Sequence, residues 1–344
     1  MTAMQTVEQF REARLRTPIK NLGIRIEGTP LAATIAELTR EMEAVGLSQI
    51  RPRFYLSTEW GVPERTLAIA IPFYLASPEL TELHAERVGN VEGAGRREAL
   101  RYLRHELGHV IDYAFLLHER REWVERFGPI TRPYEDEFRP EPFSRRFVRH
   151  LPGWYAQMHP EEDWAETFAV WMTDAVGKGT DWRKDYADWH EALGKLRYCE
   201  QVMTELRGKP PLVERYDLHE DVSEIRYSLD DLYGSSSSGA PLPAGIDGCL
   251  RSIFDADDDE ASSGVRAPAS VLIRKLEREL HRSVYRWTGH WPERTRVLVH
   301  QMAARADELG LALPLEREAS ATVALTALIT ALATNHMGRG RYNP

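Results

Sequence analysis

The chain has 344 residues, 42% hydrophobic and 28% charged, enough to bury an ordinary core in one large domain or two. A net charge of -9 and a pI near 5.8 argue against a general nucleic-acid binder, and no apolar stretch reaches the length a bilayer requires. Two cysteines, Cys199 and Cys249, are too few for a disulfide framework or a thiolate metal site. They suit a reducing compartment, and the opening residues lack the apolar core of a secretory signal, so a cytoplasmic protein with no membrane and no nucleic-acid partner is expected.

In chain order, residues 29–46 read as the first helix, with Thr29 as N-cap, Pro30 in the first turn and Gly46 at the stop. Residues 53–57 and 66–76 read as strands joined by the turn-prone Trp60-Gly61-Val62-Pro63. In the second of these, Leu67, Ala68, Ile69, Ala70 and Ile71 can offer a free backbone edge to an extended peptide, or equally form a buried sheet strand. Pro72 cannot donate to a ladder and marks an edge or a strand end. Residues 85–95, with Gly89, Gly93 and Gly95, read as a loop.

That loop leads into a helix predicted from about residue 96 to 117, and it carries Arg104-His105-Glu106-Leu107-Gly108-His109. Residues four apart share a helix face, so His105 and His109 can present two imidazoles to one zinc while Glu106, displaced by about 100°, reaches a metal-bound water. Leu100, Leu103, Leu107, Val110, Ile111 and Ala114 form an apolar stripe on roughly the opposite side, so the helix is expected to bury that face and turn its histidines into a cleft. A chance HExxH need not fall on such a helix.

Residues 128–143 hold four prolines with aromatics between them and read as a surface loop able to border the cleft. The next helix starts at Pro160. Trp164, Phe168, Trp171 and Met172 make its apolar side, while Glu162 and Glu166, four apart, share another. Two histidines and one carboxylate leave a fourth zinc position open, and a further carboxylate commonly holds a ligand histidine by its other nitrogen. Glu162 and Glu166 can fill these two roles. Residues 182–206 are helical again, 234–268 read as flexible linker or a disordered excursion, and 269–288, 292–309 and 316–334 suggest three helices forming a small bundle or a lid.

These residues resemble the gluzincin class of zinc metallopeptidases, and more closely the bacterial family called putative zinc-binding metallopeptidase. The blocks that carry the resemblance are Ala70-Ile71-Pro72-Phe73-Tyr74-Leu75-Ala76, Leu103-Arg104-His105-Glu106-Leu107-Gly108-His109, Ser144-Arg145-Arg146-Phe147-Val148-Arg149-His150-Leu151 and residues 154–171, with a less specific block at 285–312. The resemblance implies Glu162 as third zinc ligand and Glu166 as the acid behind a ligand histidine; Glu166 as ligand, or Glu161 or Asp163, remain alternatives. It also implies that Tyr155, seven residues before Glu162, supports the oxyanion, the other reading being a packing aromatic. The implied fold is α+β, a zincin-like domain over 1–233 with a small sheet, an active-site helix and a downstream glutamate helix, followed by the linker 234–268 and a C-terminal helical region, 269–344. The expected activity is hydrolysis of a peptide or protein substrate with one Zn²⁺ per chain and Glu106 as general base. The competing expectation is a zinc-containing binding or scaffold protein with the same fold and no turnover.

Overall fold

In a computed structural model of the chain, the residues described are 14–88, 91–134, 140–179, 181–234, 242–256, 266–339 and 341–342. The chain divides into two units, Met1–Leu83 with Val91–Ser235, and His84–Asn90 with Ser236–Pro344.

The first unit contains α1 (Pro30–Ala44), β1 (Arg53–Ser57), β2 (Ala68–Pro72), the start of α2 (Pro78–Val88), α3 (Arg96–Phe115), α4 (Arg121–Phe127), α5 (Pro160–Ala175), the short α6 (Trp182–Asp185), α7 (His190–Leu206) and α8 (Leu229–Gly234). The strands β1 and β2 pair in parallel, Arg53 opposite Ala68 through Ser57 opposite Pro72. Pro72 has no N–H to continue the ladder, and Phe73–Ala76 turn into a 3-10 helix where the sequence suggested more strand. Two further boundaries differ from expectation. Helix α2 runs to Val88 into the segment read as a loop, and the helical stretch 182–206 breaks between α6 and α7, where the Tyr186 and Trp189 rings meet edge to face.

Helix α3 was expected to bury one face. Every residue from Tyr102 to Phe115 is buried, on the histidine face as well as the apolar one. Its apolar stripe, including Leu103, Leu107, Val110 and Ile111, is fully covered, and its buried Arg104 and Asp112 are paired inside the protein. Arg104 makes a two-pronged pair with Glu41 of α1, at 2.8 and 2.7 Å. Asp112 accepts from the backbone N–H and the ring of His118 at 2.7 and 3.1 Å. Removing one partner of a buried pair such as Arg104–Glu41 leaves a stranded charge and typically costs about 3–5 kcal/mol.

Helix α5 crosses α3 at its HExxH turn. The crossing is close because residue 108 is glycine: a Cβ built there would stand 2.8 Å from Ala165 Cα and 3.1 Å from its carbonyl oxygen. Trp164, fully buried, donates its indole N–H to the Gly108 carbonyl at 2.9 Å. Burial of a side chain of this kind contributes roughly 1.5–3 kcal/mol, so contact area and a directed hydrogen bond both hold the crossing.

The second unit contains the end of α2, α9 (Ile246–Ile253), α10 (Ala269–Thr288), α11 (Pro292–Glu308) and α12 (Glu318–Arg339), with a three-stranded antiparallel sheet in the order β3 (Asp255–Ala256), β5 (Leu311–Pro314), β4 (Arg266–Pro268). Its core includes Ile273, Val284, Val299, Met302, Leu325, Ile329 and Leu332. Three of these elements interrupt the stretch 234–268 read as linker. Ile246, Leu250 and Ile253, at helical spacing, bury one side of α9 in this core, a stripe too short to stand out among polar neighbours. The serine-rich residues 235–239 and the acidic residues 257–265 lie outside the described residues. Among the described residues no helix is long and apolar enough to cross a membrane.

Substituting Gly108→Ala tests the crossing. Backbone stands in the way of the new methyl, so the overpacked variant is expected to lose about 1–3 kcal/mol in urea unfolding. An unchanged midpoint would show that the helices are not held as close as 2.8 Å implies.

Candidate metal centre

Local structure presents each polar group of the site. On α3, the four-residue spacing puts His105 and His109 on one face, with Nε2 atoms 3.2 Å apart. On α5, His159 is the N-cap, its Nδ1 accepting from the Glu161 N–H at 3.3 Å, and Pro160 follows in the first turn. That start places Glu161, Glu162 and Asp163 where the helix dipole favours negative charge. The α3–α5 crossing then carries Glu162 to the histidines: its Oε2 lies 3.0 Å from His105 Nε2 and 3.4 Å from His109 Nε2. These three residues are buried, each offers one ligand atom within 4.8 Å of the others, and together they could hold a metal ion.

The donor set suits zinc, two imidazole nitrogens and one carboxylate oxygen with room for a fourth position. His105 Nδ1 donates to Glu166 Oε1 at 3.1 Å. Glu166 is held in turn by the backbone N–H groups of His150 and Leu151, each 2.9 Å from its Oε2. On the other imidazole, Nδ1 of His109 has no hydrogen bond among the described residues and lies 3.6 Å from Glu161 Oε1. Tyr113 donates to that same carboxylate oxygen. Of the four acids considered as ligand or brace, Asp163 turns away. It pairs with buried Lys195 at 2.6 Å, and burial pushes its pKa up to about 7 against the pull of that ammonium.

Charge at the centre is arranged for a cation. Burial opposes a proton on His105, but its hydrogen bonds to Glu162 and Glu166 override this and raise its pKa to about 9. Burial likewise opposes charge on Glu162, and the charge of His109 with the His105 hydrogen bond overrides it, holding the carboxyl well below its usual range. Concentrated carboxylates thus stabilise positive charge at this spot, whether protons on imidazoles or a metal ion that displaces them. Glu106 differs: burial pushes its pKa up, opposed by the two histidines. Its proton affinity is therefore raised beside the histidine pair.

The three candidate ligands open on a cleft of about 580 Å³. His105, Glu106, His109, Glu162 and Tyr155 line it, and the Tyr155 ring meets His105 edge to face at 5.4 Å. The strand residues Leu67, Ala68, Ile69, Ala70 and Ile71 do not line it; all five are buried, and the Ala70 N–H is taken by the Gly61 carbonyl at 2.8 Å. The free-edge reading therefore fails at Ala70, and the segment beside the cleft is Trp60-Gly61-Val62 with Glu64 and Arg65. Sequence reasoning did not single out Tyr113, His118, Tyr134 or His159 as cleft residues. For Tyr134 a signal existed, an aromatic in a proline-rich loop suspected of bordering the cleft; the others carried none.

Zinc titration of Glu162→Ala and Glu166→Ala separates ligand from brace. Loss of Glu166 is expected to weaken binding by about 10–100-fold, and loss of Glu162 by far more. The reverse order would exchange the two roles.

No curated protein and no solved structure matches the chain in comparisons with known proteins. A family described as "putative zinc-binding metallo-peptidase" does match, over residues 79–201, the stretch that holds α3, α5 and every residue of the candidate centre.

Proposed function

We propose that this chain is a zinc-dependent metallopeptidase of the gluzincin type, with the chemistry in residues 1–233 and a cytoplasmic setting. The observation that carries the reading is the convergence of His105 Nε2, His109 Nε2 and Glu162 Oε2 in a cleft that also exposes Glu106. Bound by those three atoms, zinc supplies a Lewis acid that polarises a peptide carbonyl and makes water a usable nucleophile near neutral pH.

The chain's own groups supply the rest. Glu106, a buried carboxylate of raised proton affinity, takes the proton of the attacking water and passes it to the leaving amine. Glu166 fixes the His105 ring by its Nδ1 proton, which keeps Nε2 aimed at the centre. The Tyr155 hydroxyl is assigned to support the charge that develops on the carbonyl oxygen, a role compatible with its place on the cleft wall beside His105. A cleft bordered by the 60–65 and 130–134 segments suits a peptide chain as substrate.

The test is mass-spectrometric profiling of a diverse peptide mixture with zinc-loaded wild type and Glu106→Gln. Cleavage is expected from the wild type, with a loss of at least about 100-fold in the variant and zinc content unchanged. Near-normal cleavage by Glu106→Gln would sink the base assignment. Zinc binding with no cleavage by the wild type would favour the zinc-containing binding or scaffold protein instead.

A further inference from the structure

Ahead of α5, the chain returns to the centre through a segment that no motif marks. Three contacts clamp it to the start of that helix. His159 Nε2 donates to the Arg132 carbonyl at 2.7 Å, Arg132 Nη2 donates to the Met158 carbonyl at 2.6 Å, and the Tyr134 ring stacks on His159 at 4.0 Å and 12°. One tautomer of His159 serves two of its contacts, since Nε2 gives its proton to Arg132 while bare Nδ1 caps the helix. The clamp delivers the Tyr134 hydroxyl to the glutamate pair, 2.9 Å from Glu162 Oε1 and 3.2 Å from Glu161 Oε2.

A phenol has one proton for two carboxylates. Glu161 already receives a hydrogen bond from Tyr113, whereas among the described residues Tyr134 is the one donor to Glu162 Oε1. The shorter contact, 2.9 Å against 3.2 Å, assigns the proton to Glu162. The other oxygen, Oε2, is the atom that faces both imidazole nitrogens.

We propose that Tyr134 is a positioning residue of the metal centre: by occupying Oε1 of Glu162, its hydroxyl makes Glu162 a one-oxygen ligand and keeps a coordination position open for water. This rests on the zinc reading above. A hydroxyl bonded to one carboxylate oxygen holds that oxygen away from the metal, and a carboxylate released from that bond turns more readily to offer both. Two-oxygen binding would add a fifth ligand atom to two imidazoles, one carboxylate oxygen and water, and so crowd the position that hydrolysis needs for water. Tyr134 is half-exposed and water competes for the same oxygen, so the effect on affinity belongs at the low end of the range for groups that orient a ligand.

The test uses Tyr134→Phe, which keeps the ring and its stack on His159 and removes only the hydroxyl, alongside Tyr134→Leu, which removes both. Zinc affinity is read by competition with a chromophoric chelator, and coordination number by the visible absorption of the Co²⁺-loaded protein. Tyr134→Phe is expected to bind zinc about 10-fold more weakly and to lose visible cobalt intensity as a fifth ligand atom joins. Cobalt bands identical to wild type would overturn the proposal whatever happens to affinity, because the hydroxyl would then not set how Glu162 binds. Loss of metal in Tyr134→Leu alone would overturn it too, by assigning the effect to ring packing. A wild type that binds neither ion with dependence on His105 would mark failure of the zinc reading itself, a result distinct from either of these.

Discussion

The close crossing of α3 and α5 at Gly108 and Ala165 is the constraint on which the rest of the first unit depends. The two histidines sit on one helix and the carboxylates on the other, so the distance between helix axes decides whether three ligand atoms meet. A side chain at 108 would hold the helices apart, and Trp164 adds a hydrogen bond directed at that same turn. The surrounding core then serves to keep α3 in place. Fully covered apolar residues hold it on one side, and Arg104, gripped by Glu41, ties it to α1.

Placing acids at the start of α5 resolves an electrostatic difficulty. Several carboxylates gathered in a buried space repel one another and lose hydration. Here the helix dipole favours them, the histidines neutralise part of the charge, and the backbone N–H groups of His150 and Leu151 satisfy Glu166. Two tyrosines bring further donors to the acids from opposite directions in the chain, Tyr113 from α3 and Tyr134 from the proline-rich loop. What remains is a concentrated demand for positive charge at the point where two imidazoles and Glu162 meet.

The second unit obeys a simpler logic. Its helices bury one apolar face each against one another and against a short three-stranded sheet. Among its buried polar groups, His290 meets Thr295 at 2.7 Å and the Tyr342 hydroxyl at 3.0 Å. Helix α9 belongs to this core although its sequence lies in a stretch of linker-like composition, because three apolar residues at helical spacing suffice once a hydrophobic surface is available to receive them.

By itself the sequence determined what depends on neighbours within a turn or two. The HExxH spacing placed two imidazoles on one helix face with a glutamate beside them, the Pro160 start with its acids marked a second helix, and a resemblance joined the two. The strand at 53–57 and the three C-terminal helices were legible for the same reason, since periodicity and punctuation act locally. Only the tertiary structure decided what depends on residues far apart in the chain. It buried the histidine face of α3 as well as its apolar face, because α1 and α5 bring partners for its charges. It gave the Ala70 edge to Gly61, turned Asp163 to Lys195, and brought the loop at 130–134 back to Glu162. Periodicity reports which side of an element is apolar. It does not report how near two helices can approach or which acid finds which base, and those distances make a centre out of residues that the sequence could only nominate.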